Sequence, residues 1–192
     1  DAVETVSYDP DGAKKLLEES GWTDTDGDGY VDKDGQKLSI NWLTYPTRLE
    51  QPKLAEYAQA TLKDIGIDVV VNNTSDHMTI AKSGDFDVYV SSTTTAPTGD
   101  PEYFFTSTVT GAKNYGNYQN EEVTKLTDQL HQTFDKDERA KLAVELQQDI
   151  LDDDAFFFVS HLNMGIVTKS NVKGMAAHPC DYYEITADLD VE

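Results

Sequence analysis

The sequence predicts an α/β fold in which helices flank a mixed sheet. Residues 38–45 alternate apolar and polar side chains with the period of a strand, and residues 47–65 carry apolar side chains at helical spacing. Residues 67–71 form a nearly continuous apolar run, which predicts a strand buried on both faces, as in a parallel sheet. Strand, helix and strand in this order predict a right-handed βαβ unit.

The length and composition of the chain predict one domain. The chain has 192 residues, and 38% of them are hydrophobic, which is enough to bury a core. It contains no internal repeats and no low-complexity linker. We therefore expect residues 1–192 to form a single α/β lobe.

The strong negative charge of the chain excludes some partners. Acidic residues outnumber Lys and Arg by 36 to 15, which gives a formal net charge of −21. So few basic side chains do not suffice to neutralise the phosphates of a nucleic acid, and the charge opposes binding to an anionic membrane. The sequence has no run of 18 apolar residues, so no membrane span is predicted. The single cysteine, Cys180, excludes an intrachain disulfide.

Two local signals delimit the first helix. Asp9 can accept hydrogen bonds from the free N–H groups of the first turn, and Pro10 has the φ that the first helical position requires. Gly21 fits the left-handed position after the helix, and Trp22 is the apolar residue that follows it in a Schellman motif.

Residues 24–35, with the sequence DTDGDGYVDKDG, are the sharpest local signal in the chain. Positions 1, 3, 5 and 9 of a calcium-binding loop are all aspartates here: Asp24, Asp26, Asp28 and Asp32. Position 12, which should carry a bidentate carboxylate, is Gly35. We favour a hairpin closed over the turn dipeptide Asp34-Gly35, with residues 30–31 and 37–38 as its arms. Weak calcium binding by the four aspartates is the alternative.

The next helix is predicted to begin with a capping box, Thr47 to Glu50, and to stop at Gly66. The side chains predicted for its buried face are Leu54, Tyr57, Ala58, Leu62 and Ile65. Residues 77–82 then predict a short helix or turn, and residues 86–90 predict a third strand.

Residues 91–118 are the best candidate for a ligand-binding region. Residues 91–100 are rich in hydroxyl groups and leave the carboxyl end of the strand at 86–90. Residues 101–105 predict a helical turn with aromatic side chains, and residues 106–117 are predicted to be irregular. Ligands of open α/β sheets bind beyond the carboxyl ends of strands, and loops on a rigid scaffold often carry function. An ordinary hydroxyl-rich surface loop is the alternative.

Two helices follow, with Asn120 and Asp135 as the predicted N-caps. The side chains predicted to be buried on them are Val123, Leu126, Leu130, Phe134, Leu142, Leu146 and Ile150. Three aspartates at 152–154 are unfavourable at a helix C-terminus, so this end is predicted to fray. Residues 155–159 and 165–168 predict strands.

The histidines form no metal-binding pattern, because no two of them have i, i+4 spacing. We expect His131 to be an exposed helix residue and His161 to be a hydrogen-bonded histidine at the edge of the core. A small metal or thiol site built from His178, Cys180 and Asp181 is the less favoured interpretation. The sequence carries no recognised catalytic motif, so we predict that the chain is not an enzyme.

The order of these motifs resembles a known family. A helix that ends in Gly21-Trp22 is followed by the acidic loop, a strand, a long helix, Ile65-Gly66-Ile67 and a second strand. Over residues 8–172, this order resembles the C-terminal lobe of extracytoplasmic solute-binding proteins of ABC importers, in the peptide/nickel class (family 5).

The resemblance implies a fold and a function. It implies a lobe of the type II periplasmic-binding-protein class, which would be the C-terminal part of a longer two-lobed protein. Such a protein would capture oligopeptides between its lobes, or a nickel or other metal chelate as the alternative, and deliver them to ABC permease subunits. The resemblance implies an extracytoplasmic location, in the periplasm or as a cell-surface lipoprotein, with the export signal upstream. We expect a monomer, with no cofactor unless the acidic loop holds calcium.

The resemblance also implies ligand-binding residues, because Asp100-Pro101 corresponds to a segment that lines the ligand cleft in such proteins. The candidates are Thr94, Thr95, Ala96, Pro97, Thr98, Asp100, Tyr103 and Tyr115. Residues 96–99 lack the acidic residue with which peptide-binding members often pair a peptide's amino terminus. Ala96-Pro97 instead resembles nickel-class members. Residues 106–113 contain no histidine, so a metal would arrive inside a small chelator.

Overall fold

The fold is described from a computed structural model, which covers residues 2–97, 99–163, 165–176 and 187–191. The chain divides into two compact units. One unit comprises Val6–Ser92, and the other comprises Asp1–Thr5 with Thr93–Glu192. The single lobe expected for residues 1–192 stays a prediction.

The unit of residues 6–92 begins with α1, Pro10–Glu19. The Asp9 carboxylate accepts a hydrogen bond from the Gly12 N–H at 2.9 Å, as an N-cap should. At the other end, the Gly21 N–H donates to Glu18 O and the Trp22 N–H donates to Leu17 O, both at 2.9 Å. This is the Schellman arrangement, and Gly21 has the left-handed φ of 85° that it requires. Both predicted ends of α1 are confirmed.

The acidic loop leads into a hairpin of two short strands. Strand β1, Asp32–Lys33, pairs antiparallel with β2, Gln36–Lys37. The turn between them is Asp34-Gly35, with φ values of 54° and 76°. The predicted hairpin is confirmed, although Tyr30 lies outside its arms.

A three-stranded parallel sheet forms the centre of this unit. Its strands are β3, Ser39–Thr44; β4, Asp68–Asn73; and β5, Val88–Tyr89; and their order is β4-β3-β5. Helix α2, Glu50–Lys63, connects β3 to β4, and α3, His77–Ser83, connects β4 to β5. The predicted strand–helix–strand unit with parallel strands is confirmed.

Three expectations for this region are wrong. Helix α2 starts at Glu50, so Thr47 lies too early to cap it, and no side chain caps it. Tyr57 is 70% exposed, because α2 turns Gln51 and Ala55 inward instead. Val70 is 54% exposed although its neighbour Val69 is buried, so the run 67–71 is not buried on both faces.

Helices dominate the second unit. Helix α4, Glu102–Phe104, continues as a π-helical turn, Phe105–Val109, so the irregular structure expected from residue 106 begins only after Val109. Helix α5 is Glu121–Gln132 and α6 is Lys136–Asp152, with the predicted N-caps Asn120 and Asp135 each accepting two backbone N–H groups. The buried core consists of Phe104, Phe105, Val109, Val123, Leu126, Leu130, Leu142, Ala143, Leu146 and Ile150.

Two expectations for the C-terminal part are also wrong. Phe134 is 93% exposed, because α5 ends at Gln132, before this position, and Thr127 takes the inward position instead. At the end of α6, the Asp153 carboxylate accepts hydrogen bonds from the Tyr118 hydroxyl at 2.5 Å and the Asn120 amide at 2.8 Å, and the fraying of this end stays a prediction. Residues 155–159 form no strand among the described residues, and neither do the described residues of 165–168. A short antiparallel pair of Val172–Lys173 (β6) and Asp190–Val191 (β7) follows.

Candidate functional site

The polar segment after β5 has a defined turn before it enters α4. The Gly99 N–H donates to the Ala96 carbonyl at 3.0 Å, and Gly99 has a φ of 78°, which suits glycine. Thr94, Ala96 and Pro97 are half-buried, whereas Thr95 is exposed. Of the predicted ligand-binding residues, Thr98 lies outside the described residues.

Asp100 ends this segment and starts α4. Its Oδ1 atom accepts a hydrogen bond from the Glu102 N–H at 2.9 Å. The same carboxylate receives two N–H groups of Arg139, from Nε to Oδ2 at 3.0 Å and from Nη2 to Oδ1 at 2.6 Å. This is the two-pronged geometry in which an arginine holds a carboxylate most firmly.

Arg139 lies in the first turn of α6 and has an acceptor for each of its five N–H groups. Besides the two bonds to Asp100, Nη2 donates to Glu102 Oε2 at 2.9 Å. Nη1 donates to the backbone carbonyls of Leu130 at 2.7 Å and Thr133 at 2.6 Å, at the end of α5. Only 15% of the Arg139 side chain is exposed. The guanidinium therefore ties the start of α4 to the junction between α5 and α6.

His131 extends this network at the surface. Its Nδ1 atom lies 2.5 Å from Glu102 Oε1, and 71% of its side chain is exposed. The predicted exposure of His131 is confirmed, although sequence analysis gave it no partner. Glu102 thus contacts Arg139 with one carboxylate oxygen and His131 with the other.

The ion pairs change the proton affinity of the carboxyl groups. Hydrogen bonds from Arg139 hold the pKa of Asp100 below its ordinary value, and desolvation only partly opposes this effect. The pKa of Glu102 is also lowered, first by the hydrogen bond from Arg139 and then by that from His131. Both carboxyl groups are therefore ionised at neutral pH, and Arg139 offsets one of their two negative charges.

The two tyrosines of the predicted site lie on either side of Lys113 in the chain. Tyr103 is 40% exposed, and its hydroxyl accepts a hydrogen bond from Lys113 Nζ at 3.0 Å. The Tyr115 N–H donates to the Lys113 carbonyl at 2.9 Å, and the Tyr115 side chain is half-buried. Gly111 lets this loop approach the π-helical turn Phe105–Val109, since a Cβ there would lie 2.0 Å from the Thr106 carbonyl oxygen.

The structure therefore brings together only part of the predicted site. It joins Asp100 to Glu102, His131 and Arg139, of which sequence analysis named only His131, and not for this site. Arg139 lies 39 residues from Asp100, so no local spacing links them. The one available signal was rarity, because the chain has only two arginines, Arg48 and Arg139.

A second polar cluster lies at the carboxyl end of the parallel sheet, within residues 6–92. The imidazole of His77 stacks on the ring of Tyr45 with a centroid distance of 4.1 Å. His77 Nδ1 lies 2.8 Å from the Tyr89 hydroxyl, and the Tyr45 hydroxyl accepts a hydrogen bond from the Ser92 N–H at 3.2 Å. Sequence analysis gave His77 no role.

The remaining histidines give no further site. His161 is exposed, so its expected position at the core edge is wrong. His178, Cys180 and Asp181 lie outside the described residues.

The acidic loop brings three of its four predicted aspartates together. Carboxylate oxygens of Asp24, Asp26 and Asp28 lie within 4.8 Å of one another, and all three residues are exposed. Their carboxylates also accept backbone N–H groups of the loop, as in the bonds from Gly27 and Gly29 to Asp24 at 2.7 and 3.0 Å.

Asp32 does not belong to this triplet, and its role as a fourth metal ligand stays a prediction. Its carboxylate accepts hydrogen bonds from the Thr25 N–H at 2.8 Å and from the Thr25 hydroxyl. Asp32 also lies in β1, where its backbone pairs with Lys37. Its side chain therefore stabilises the base of the loop.

Known proteins place the chain in a family. Residues 1–116 match the family model described as bacterial extracellular solute-binding proteins, family 5 Middle. The chain belongs to this family. The match includes the acidic loop, the parallel sheet and most of the candidate ligand segment.

Relatives include proteins named for two different ligands. The oligopeptide-binding protein AppA of Bacillus subtilis is 30% identical over 189 residues, which are 95% of this chain and 35% of AppA. The nickel-binding protein NikA of Staphylococcus aureus is 28% identical over 168 residues, which are 86% of this chain and 34% of NikA. The chain thus spans about one third of the length of these relatives.

Solved structures confirm the predicted fold class. The structure of B. subtilis AppA in complex with a nonapeptide superposes with a TM-score of 0.66 at 29% identity, covering 79% of this chain and 32% of that one. A nickel ABC transporter structure from Bacillus halodurans gives 0.65 at 31% identity, with the same coverage. The α/β lobe of the type II periplasmic-binding-protein class is thereby confirmed. Among the described residues, no helix combines the length and apolar character needed to cross a membrane.

Proposed function

We propose that the chain is one lobe of the solute-binding component of an ABC importer, and that this component captures oligopeptide-type ligands. The observation that carries the proposal is the family match, because residues 1–116 include most of the candidate ligand segment. The relative with 30% identity is an oligopeptide-binding protein, which favours this ligand class.

The geometry of the candidate segment suits such a role. A binding site needs polar groups and exposed rings on a backbone that does not move, since ordering a loose segment costs affinity. Hydroxyls of 94–95, the exposed ring of Tyr103 and the half-buried Tyr115 supply the contacts. Arg139 fixes the backbone between them. In the proposed mechanism, the ligand docks between two lobes, a hinge closes, and the closed form meets the permease.

A nickel or other metal chelate is the second ligand class. Nickel-binding proteins stand among the relatives at 28% identity, and Ala96-Pro97 takes the place of an acidic residue that would pair a peptide's amino terminus. Residues 106–113 offer no histidine, so the chelator would supply most of the metal ligands.

The family sets the cellular context of the proposal. Its members are described as extracellular, which supports an extracytoplasmic location. We propose that the protein works as a monomer with ABC permease subunits, in the periplasm or as a cell-surface lipoprotein, and catalyses no reaction.

Native mass spectrometry of the gently purified full-length protein, combined with elemental analysis, tests the proposal. A ladder of peptide masses is the expected result. Detection of nickel or another transition metal together with a small organic molecule would identify a metal chelate, the second ligand class, as the ligand in place of oligopeptides. An empty protein that also fails to bind a nonapeptide or Ni²⁺ with L-histidine in titration calorimetry would contradict both.

Calcium binding is a candidate function of another class, supported by the three carboxylates within 4.8 Å of one another. Calorimetry with calcium separates this function from solute capture, because the acidic loop is remote in sequence from residues 94–115. Heat of binding at micromolar calcium, with a large thermal shift, would support it, and no shift up to millimolar calcium would remove it.

A further inference from the structure

The guanidinium of Arg139 is fully used within the chain. It has five N–H groups, and five acceptor contacts are present: two from Asp100, one from Glu102 and two backbone carbonyls. No donor of this arginine is left to hold a carboxylate or phosphate of a ligand. Arg139 can therefore affect solute binding only through the groups to which it is hydrogen-bonded.

Three hydrogen bonds within the chain also end on the Asp100 carboxylate, although 42% of this side chain is exposed. Oδ1 accepts from Arg139 and from the Glu102 N–H, and Oδ2 accepts from Arg139 Nε. A ligand amino group that paired with this carboxylate would compete with a two-pronged ion pair whose arginine is largely buried. The carboxylate is better suited to fix its own segment than to bind a ligand.

The far side of Arg139 is attached to the core. Nη1 holds the carbonyl of Leu130, whose side chain is fully buried, and the carbonyl of Thr133 just beyond α5. The chain of contacts runs from the helical core through Arg139 to Asp100 and Glu102. On one side of these residues lies the turn at 96–99, and on the other side lies Tyr103.

We propose that Arg139 is a positioning residue of the solute site, which sets the place of residues 94–103 by binding Asp100 and Glu102 without touching the ligand. The inference rests on the proposed function and adds to it a residue outside the candidate ligand segment. It assigns Asp100 an indirect role, in contrast to the direct contact expected for a residue that lines the cleft.

The two roles of Asp100 make different predictions for modified ligands. A carboxylate that pairs directly with a peptide's amino terminus distinguishes a free peptide from its N-acetylated form. A positioning network affects both forms alike, because it changes the place of the whole wall. At metal sites, loss of a group that orients the ligands typically costs about tenfold or more in affinity. We expect a loss of similar size for this network.

The experiment uses the full-length protein and four variants: Arg139→Gln, Arg139→Lys, Asp100→Asn and the double variant Asp100→Asn with Arg139→Gln. Lys141→Gln is the matched control, since it removes one positive charge from an exposed position of the same helix. Titration calorimetry measures affinity for a nonapeptide, its N-acetylated form, and Ni²⁺ with L-histidine. Hydrogen exchange measures the protection of the amides of residues 99–106, with unit 6–92 as an internal reference.

We expect Arg139→Gln and Asp100→Asn to weaken the binding of free and N-acetylated peptide equally, by about tenfold or more. The double variant should be little worse than either single variant, because both remove the same contact. Exchange at 99–106 should accelerate in the variants, whereas Lys141→Gln should behave as wild type. If nickel with histidine is the ligand that binds, the same loss is expected for it.

Three results would overturn the inference. One is unchanged exchange at 99–106 in Arg139→Gln, and another is unchanged affinity despite faster exchange. The third is a loss in Asp100→Asn that is confined to the free peptide, because this would show direct contact. If Arg139→Gln does not fold, Arg139→Lys takes its place in the test, because lysine keeps the positive charge but lacks the two-pronged geometry of the guanidinium. Wild-type affinity in a folded Arg139→Lys protein would also overturn the inference. A wild-type protein that binds none of the three probes refutes the proposed function itself, and the inference falls with it.

Discussion

Two groups of acidic side chains in this protein differ in how their charge is balanced. Asp100 and Glu102 share the largely buried Arg139, whose side chain is 15% exposed. Asp24, Asp26 and Asp28 are exposed and have mainly backbone N–H partners, with Lys37 lying 3.7 Å from Asp28 as the cation nearest to the loop in the described residues. The first group is partly neutralised by a largely buried cation of the chain, and the second presents its charge to solvent.

The difference shows what the two groups can do. An internally paired carboxylate holds structure in place and is poorly available to ligands. An exposed set of carboxylates with no strong internal partner is stabilised by any cation that binds it. Sequence analysis singled out the exposed group and, from the paired group, only Asp100, as a direct ligand contact. The structure adds its bonds to Arg139 and Glu102, which shape the candidate site.

The largest effect on stability is expected when the cation that pairs with each group, Arg139 or Lys37, is replaced by glutamine. Arg139→Gln removes the guanidinium that donates to two carboxylates and two backbone carbonyls, so we expect a loss of about 3 kcal/mol in the free energy of unfolding. Lys37→Gln removes an exposed partner of Asp28 and should cost less than about 1 kcal/mol. Chemical denaturation of both variants measures the difference. Equal losses would contradict the contrast between the two groups.

A pH effect of intermediate size follows from the lowered pKa values. The pKa of Asp100 lies below 3.8 and that of Glu102 below 4.5, first because of the hydrogen bonds from Arg139. Carboxyl groups whose pKa is lower in the folded state stabilise the fold above their ordinary pKa, and this stability is lost as the pH falls through the lowered values. The stability difference between wild type and Arg139→Gln should therefore be constant above about pH 5 and shrink below pH 4.

Two nearby groups need to be separated from this effect. Burial and the neighbouring Asp152 and Asp153 raise the pKa of Asp149, which gives the opposite slope, but this contribution is common to both proteins and cancels in the difference. His131 also faces Glu102, so His131→Gln serves as the control. A difference that stays constant down to pH 3 would show that Asp100 and Glu102 do not depend on Arg139.

Features of the fold that depend on a few adjacent residues were predictable from the sequence. The cap at Asp9, the stop at Gly21-Trp22 and the turn at Asp34-Gly35 use chemistry that lies within five residues along the chain. The parallel pairing of β3 and β4 also followed, because strand, helix and strand permit few arrangements.

Features that depend on distant residues were not predictable in this way. Arg139 meets Asp100 across 39 residues, and only the packing of α5, α6 and the start of α4 brings them together. Residues 155–159 have the composition of a strand, but among the described residues no neighbouring strand pairs with them. Phe156 instead packs on the helical core with Tyr118. The composition of residues 155–159 favours a strand, but a strand forms only where a neighbouring strand pairs with it.

The smallest effect is expected from calcium at the exposed group. Binding to the folded loop alone would stabilise the protein by about 1.4 kcal/mol at a calcium concentration ten times the dissociation constant. Asp26→Asn should abolish this shift, because it removes one of three carboxylates that lie within 4.8 Å of one another. Asp32→Asn should keep it, because Asp32 bonds to Thr25 outside the triplet. Thermal unfolding with and without calcium measures both variants, and magnesium at the same concentration controls for general screening of charge. If Asp32→Asn also abolishes the shift, Asp32 is a calcium ligand as well. An equal shift with magnesium would show general screening of charge and not calcium binding.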